Sequence, residues 1–549
     1  MNKLFTLFLS VLFIFSLNLK AQTITLDLNK SYQTIGHWEN GGFLQKGLEE
    51  LIIDDLVDLT VDSLGINRLR LEIRSGSENT VDYYQQYQDS TIEYETWRSN
   101  RYATENDDDD PNNINWRGFY FTELDETIEN VLIPIRNRLI QNKSNLYINL
   151  CIVAFTGQLN EGTGGTIIHQ IPEEYAEFIE AIFKHMENKY GFVPDAVEVL
   201  LEPDVAKFGD GKLVGECLVA AGNRLKGIGY KPDFIACSNT NLFNATGKMY
   251  SDFIKVPGVS EYWSEYSFHA YAGRTDDNLI QISENAKVNG VNTSMLEWWT
   301  NGHRYDYLHK CLKLANVSSY EFKGSFGTVN NDWSSGLLSI RDNGNNEYLL
   351  DLQPPVKYFR HYFKLISNGA VRYEAISDSS SFDPVVFKNE DGSLILNIMA
   401  ANSGNVSISG LPTGSYQTIY SLGDGRNEPS KYWVKVTRVN IKEGEDYTLD
   451  IPSQGIFSVV QTNSPVTSIK ESTNEDEEFT IDLQNGIINI NASGNRNINN
   501  VNIYTTNGKE IFSSSYKNVE RVNINSFNFN KSPYLVIINN EILKKVIIK

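Results

Sequence analysis

The sequence predicts an α/β protein whose first two thirds alternate strands with helices and whose remainder is all β. Three observations carry that prediction. Between Gln22 and about Gln353, apolar β-branched runs that end in polar residues are each followed by a helical stretch, the signature of βα units around a parallel sheet. From Tyr358 to about Gln461 the pattern changes to short strands separated at regular intervals by turn residues, as in a β-sandwich. After a stretch rich in Ser, Thr, Asn and acidic residues, short alternating runs return and continue to Lys549.

In chain order, Met1-Asn-Lys precedes an apolar run from Leu4 to Leu19 and then Lys20-Ala21-Gln22, with no acidic residue in the stretch. Residues 1–21 read as a signal peptide. The run is short for a bilayer span and is interrupted by Thr6, Ser10, Ser16 and Asn18, and no later segment approaches a spanning length.

Residues 22–355 contain eight candidate strands. They are Thr34–Trp38, Arg68–Arg74, Leu146–Val153, Ala196–Leu201, Phe234–Ser238, Tyr266–His269, Thr293–Leu296 and Phe322–Val329. Helices lie between them; in Glu173–Tyr190, for example, Tyr175, Phe178, Ile179, Ile182, Phe183 and Met186 recur at helical spacing behind Pro172. Eight βα units fit a (β/α)₈ barrel, in which chemistry sits where strands end and loops begin. Residues 356–463 form the expected β-sandwich, 464–478 a linker and 479–549 a small all-β module.

Composition narrows the function classes. The 549-residue chain carries a net charge of −21. Loss of Lys3 and Lys20 with the leader lowers it by two more, which disfavours nucleic acid and anionic membranes as partners. The acidic run Glu105–Asp110 reads as a solvated loop rather than a calcium site, since hard-cation sites need spaced ligands and a shaping turn. Cys151, Cys217, Cys237 and Cys311 are scattered without C-x-x-C spacing and suggest neither zinc nor a disulfide framework. No metal or organic cofactor is called for, and the chain is read as a monomer.

Two glutamates stand where apolar strands stop, in Val197-Glu-Val-Leu-Leu-Glu202-Pro203 and in Thr293-Ser-Met-Leu-Glu297-Trp298-Trp299. Either alone would be an ordinary loop residue or helix cap. Together, on the fourth and seventh predicted strands, they can face each other across the barrel mouth. Cleaving a glycosidic bond needs such a pair: one carboxyl protonated for the leaving oxygen, the other ionised against the charge that develops at the anomeric carbon. About 5 Å between them allows direct attack and retention of configuration. No G-x-S-x-G elbow or H-E-x-x-H helix suggests a protease or esterase.

The pair resembles that of the clan A glycoside hydrolases, and family 30 in particular. The residues that carry the likeness are Gln33–Gly42, Gly65–Ser75, Leu201-Glu-Pro-Asp204, Ser267-Phe-His-Ala-Tyr271, Met295-Leu-Glu-Trp298 and Pro355–Arg372, over roughly residues 22–465. The resemblance implies a secreted retaining β-glycosidase with Glu202 as acid/base, Glu297 as nucleophile and Arg70 on the nucleophile. His269 and Tyr271 would orient Glu297 or bind sugar hydroxyls, unless His269 is structural. One departure stands out: the clan has Asn before the acid/base, to bind the sugar 2-hydroxyl, and here the residue is Leu201. Asn149 and Asn239 are candidate substitutes; a different substrate, or a non-catalytic polysaccharide-binding protein on a decayed barrel, are the alternatives. Trp38, Phe155, Trp263, Tyr271, Trp298 and Trp299 are candidate sugar platforms, each balanced against ordinary core packing. The Ser75–Trp116 insertion, with Tyr83, Tyr84, Tyr87, Tyr94 and Trp97, would wall one side of a cleft. The C-terminal module resembles the type A sorting domain of type IX secretion, in Asn502–Ile511 and the Lys-Lys-Val-Ile-Ile-Lys549 ending. That resemblance implies export machinery as a partner.

Overall fold

The computed structural model describes residues 22–44, 47–155, 167–298, 304–322, 325–330, 336–344, 347–462, 479–484, 487–492, 497–505, 510–525, 533–539 and 541–547. The leader and the linker 464–478 therefore lie outside the described residues. The chain forms two compact units, Met1–Pro465 and Val466–Lys549.

In the first unit, eight parallel strands close a barrel: His37–Gly41, Arg68–Arg74, Tyr147–Val153, Ala196–Glu198, Asp233–Asn239, Trp263–His269, Asn292–Glu297 and Ser319–Glu321. The second strand shows how the sequence builds it. In Arg68-Leu-Arg-Leu-Glu-Ile-Arg74 the apolar residues Leu69, Leu71 and Ile73 are buried in the main hydrophobic core, and the alternate charged positions fall on the other face. Four strands differ from the sequence expectation by three residues or more: the fourth stops at Glu198 instead of Leu201, the sixth starts at Trp263 instead of Tyr266, and the first and eighth are displaced. The first begins at His37 instead of Thr34, and the eighth is Ser319–Glu321, ahead of the expected Phe322–Val329. The eighth is three residues long and ends on Glu321, so it lacks the apolar run that marks its neighbours.

Helix Pro172–Tyr190 matches its predicted counterpart; Pro172 opens it, and Gly191 ends it at φ 75°. That left-handed geometry is open to glycine without a Cβ clash. No helix among the described residues is long and apolar enough to cross a membrane.

The expected sandwich strands lie in one ten-stranded, mostly antiparallel sheet around its own apolar core. Its first strand, Gln22–Thr34, comes from the start of the chain and sits between Val371–Ser377 and Gly404–Ser409. The expected barrel boundaries shift accordingly: Gln22–Thr34 belongs to the sheet. At the other end, helix Pro354–Phe363 spans the expected 355/356 junction and packs Phe359 on Tyr320 and Phe322. The second unit is a small β-module of one three-stranded and one four-stranded sheet.

Candidate active site

Glu297 is the last residue of the seventh barrel strand. Glu202 follows the fourth at a left-handed turn, φ 50°, where its N–H donates to the carbonyl of Ser238 at 3.1 Å and Pro203 opens a short helix. Both carboxylates reach the same cleft. One oxygen of each, with a ring nitrogen of His269, lies within 4.8 Å of the others. Among the described residues this is the one such group of three His, Cys, Asp or Glu side chains. It could hold a cation, but the guanidinium already bound to Glu297 opposes one.

The two carboxyls have different surroundings. Arg70, fully buried, donates to Glu297 Oε2 at 2.7 Å, and the Tyr271 hydroxyl donates to Oε1 at 2.8 Å. Burial alone would raise the Glu297 carboxyl; Arg70, His269 and Tyr271 outweigh it and hold the group below its ordinary value. Glu202 Oε1 is paired instead with His269 Nδ1 at 2.9 Å. Burial opposes protonation of that imidazole, but Glu297 and Glu202 together raise it above the ordinary histidine value. Arg70 thus contacts Glu297, and the hydrogen bond of His269 goes to Glu202 while its charge also acts on Glu297.

Below the site the barrel interior is ionic. Arg68 makes a two-pronged pair with Glu265, at 2.9 and 3.0 Å, and contacts Glu39. Arg70 Nη1 also meets Glu321 Oε2 at 3.1 Å. Five buried carboxyls, Glu39, Glu198, Glu265, Glu297 and Glu321, share two buried guanidiniums, so the interior holds protons. Burial pushes Glu39 up to about 7 and Glu321 well above the ordinary range. Asn149 Nδ2 bridges Glu39 and Glu198 at 3.1 Å each, which commits its amide to the interior and away from substrate. Sequence reading missed these glutamates. Their signal was there, in single acids inside apolar strands such as Trp38-Glu39, Val197-Glu198-Val199 and Tyr320-Glu321-Phe322.

The cleft has a volume of about 630 Å³. Its lining combines Glu202, Glu297, Tyr271, Leu201 and Phe155 with Tyr84, Tyr87, Tyr94 and Trp97 of the insertion. Four of the five aromatics expected to wall the cleft therefore line it, as a cluster in which Trp97 stacks on Tyr87 at 5.4 Å and Tyr94 and Tyr84 pack edge-on or tilted, whereas Tyr83 lies outside the lining. Tyr102, Arg74 and Arg101 also line it and went unnoticed in the sequence. The tryptophans expected as platforms are placed elsewhere. Trp38 is core, its Nε1 donating to Ile366 O at 2.7 Å and its ring stacked on Phe363. Trp263 is core too, bonded to Ala236 O and Glu265 O. Trp298 packs on Tyr307 beneath the Arg274 guanidinium, outside the cleft lining. Trp299 lies outside the described residues. Asn239 ends the fifth strand fully buried, outside the cleft lining, with neither amide atom bonded.

Barrel and flanking sheet form a fold shared by several glycoside hydrolases of known structure. The catalytic domain of a family 30 xylanase C from Talaromyces cellulolyticus superposes with a TM-score of 0.56 at 17% identity, over 80% of this chain and 100% of that one. A family 30 endoxylanase from Clostridium papyrosolvens gives 0.55 at 12%, over 80% and 99%. An endo-β1,6-glucanase gives 0.54 at 15%, over 81% and 95%. No protein-family model and no curated protein sequence matches the chain.

Proposed function

We propose that the chain is an exported retaining glycoside hydrolase that cleaves a polysaccharide or oligosaccharide by double displacement. The observation that carries this reading is the pair Glu202 and Glu297, with oxygens within 4.8 Å of each other and different partners, Arg70 and Tyr271 on Glu297 and His269 on Glu202. Glu297, held ionised by Arg70 and Tyr271, attacks the anomeric carbon while Glu202 protonates the leaving oxygen. Glu202 then takes a proton from water, which attacks the glycosyl ester and frees Glu297. The aromatic insertion supplies flat faces for pyranose rings. The solved neighbours that act on xylan and on β1,6-glucan favour a β-glycan as substrate. Export, in this reading, uses residues 1–21 as leader and 479–549 as the sorting module, and the enzyme works outside the cell.

Digestion of a glycan panel tests the assignment. Wild type releases sugars from at least one β-glycan; Glu297→Ala releases none, with circular dichroism unchanged. Glu202→Ala loses the natural substrate but retains turnover of an aryl glycoside whose leaving group needs no proton. Full activity of Glu297→Ala refutes the nucleophile. Leu201 at the cleft wall favours one second reading, a polysaccharide-binding protein, which predicts retention of a glycan without product in every variant.

A further inference from the structure

The acidic run Glu105–Asp110 is not simply a solvated loop. Glu105, Asp109 and Asp110 are exposed, but Asn106, Asp107 and Asp108 are half-buried, and Asn106 faces helix Pro172–Tyr190. Asn106 Nδ2 approaches Glu174 Oε1 at 3.5 Å, and the N–H of Asp107 donates to Glu78 Oε1 at 3.3 Å. Glu174 and Glu177 are three residues apart on that helix and so share a face. They are 6% and 1% exposed.

Some oxygens in this pocket are already used. Glu78 Oε2 pairs with His169 Nε2 at 2.6 Å; Asp107 accepts from the N–H groups of Asn115 and Asp108. Four have no donor among the described residues: Glu174 Oε2, both oxygens of Glu177 and Asn106 Oδ1 are buried, and the Glu174 and Glu177 carboxyls stand close enough to hydrogen-bond each other when one is protonated. The Arg224 guanidinium nearby is bonded to Glu180 and to the carbonyl of Pro111. Burial, with Asp107 and Glu174 beside it, pushes Glu177 up to about 9. A carboxylate so placed must take up a proton or a cation.

We propose that Asn106, Glu174 and Glu177 bind one calcium ion, Glu177 through both oxygens and the other two through one each, with water completing the shell. The donors are all oxygen, which selects a hard cation over zinc or copper. Calcium tolerates a bidentate carboxylate and an irregular shell, whereas magnesium requires near-octahedral geometry. The ion ties the end of the Ser75–Trp116 insertion to a barrel helix and thereby fixes the aromatic wall of the cleft.

The test uses the full chain, stripped with EDTA and dialysed, in equilibrium dialysis and thermal unfolding with added calcium or magnesium. Wild type should bind one calcium ion and gain about 3 °C in Tm at saturation, more than with equal magnesium. Calcium should also slow proteolysis within 75–116. Both responses should vanish in Glu177→Gln, whose neutral amide removes the buried charge; Glu174→Gln gives the same comparison should the first variant not fold. Stripped wild type that binds no calcium overturns the proposal and leaves Glu174 and Glu177 sharing a proton. Calcium binding undiminished in the variants also overturns it, by placing the ion elsewhere, such as between Glu202 and Glu297.

Discussion

Tyr271→Phe isolates the electrostatics of the nucleophile with little disturbance to packing. The substitution removes the hydroxyl that donates to Glu297 Oε1 at 2.8 Å and leaves the ring and the Arg70 pair in place. A hydrogen bond to a charged group contributes about 1.5–3 kcal/mol, and one pH unit corresponds to about 1.4 kcal/mol. The Glu297 carboxyl should therefore rise by about 1–2 units, and the acid limb of kcat/KM should move to higher pH by the same amount. Stability supplies a second readout that needs no substrate. Glu297 is depressed in the folded protein, so its stabilisation is present above the unfolded carboxyl value, about 4.3, and is lost as pH falls through the folded value. Wild type should exceed Tyr271→Phe by about 2 kcal/mol near pH 7 in urea unfolding, and the two curves should converge at low pH. An unmoved acid limb together with a pH-independent stability gap would refute the assignment of Tyr271 as a support of Glu297.

Glu39 gives the opposite sign. Its folded value near 7 lies above the unfolded one, so the folded state holds an extra proton between about pH 4.5 and 7. Stability should fall by about 3 kcal/mol as pH rises through that window, and Glu39→Gln should flatten the slope in urea titrations; an equal slope in both proteins would show that Glu39 does not hold the proton. Trp97→Ala removes the stacked centre of the cleft wall, and should raise KM about tenfold with kcat little changed, a loss of about 1.4 kcal/mol in binding. Trp38→Ala should cost about 3–5 kcal/mol in denaturant unfolding and leave KM intact, because that indole is core; a raised KM without lost stability would restore it as a sugar platform.

Residues whose role follows from a strand end were legible in the sequence. Glu202 and Glu297 close apolar runs, and Arg70, singled out by the family resemblance, lies on a strand that Leu69 and Leu71 mark as buried. Roles fixed by partners distant in sequence were not. Nothing in Trp38-Glu39 says whether the indole faces substrate or Phe363, 325 residues away. His269 could have served either carboxylate, and only the path of the sixth strand sets its Nδ1 against Glu202. The eighth strand was misplaced because its central residues are Ser319, Tyr320 and Glu321, whose burial depends on the ionic interior and not on an apolar pattern. The acidic run was read from its charge, although Asn106 within it reaches a helix more than 60 residues later.

The strand Gln22–Thr34 has a bearing on how the chain comes together in time. It is synthesised before the barrel, yet its partners begin at Val371 and Gly404, and the N–H of Thr23 waits for the side chain of Asp378. Until those residues exist, this stretch presents two unpaired edges, with Ile24 and Leu26 uncovered. The whole barrel therefore lies within the loop that this pairing closes, and pairing of such high contact order is slow. A cut between barrel and sheet would leave this strand unpaired on the barrel half and missing from the sheet half, so the sheet would not fold complete on its own.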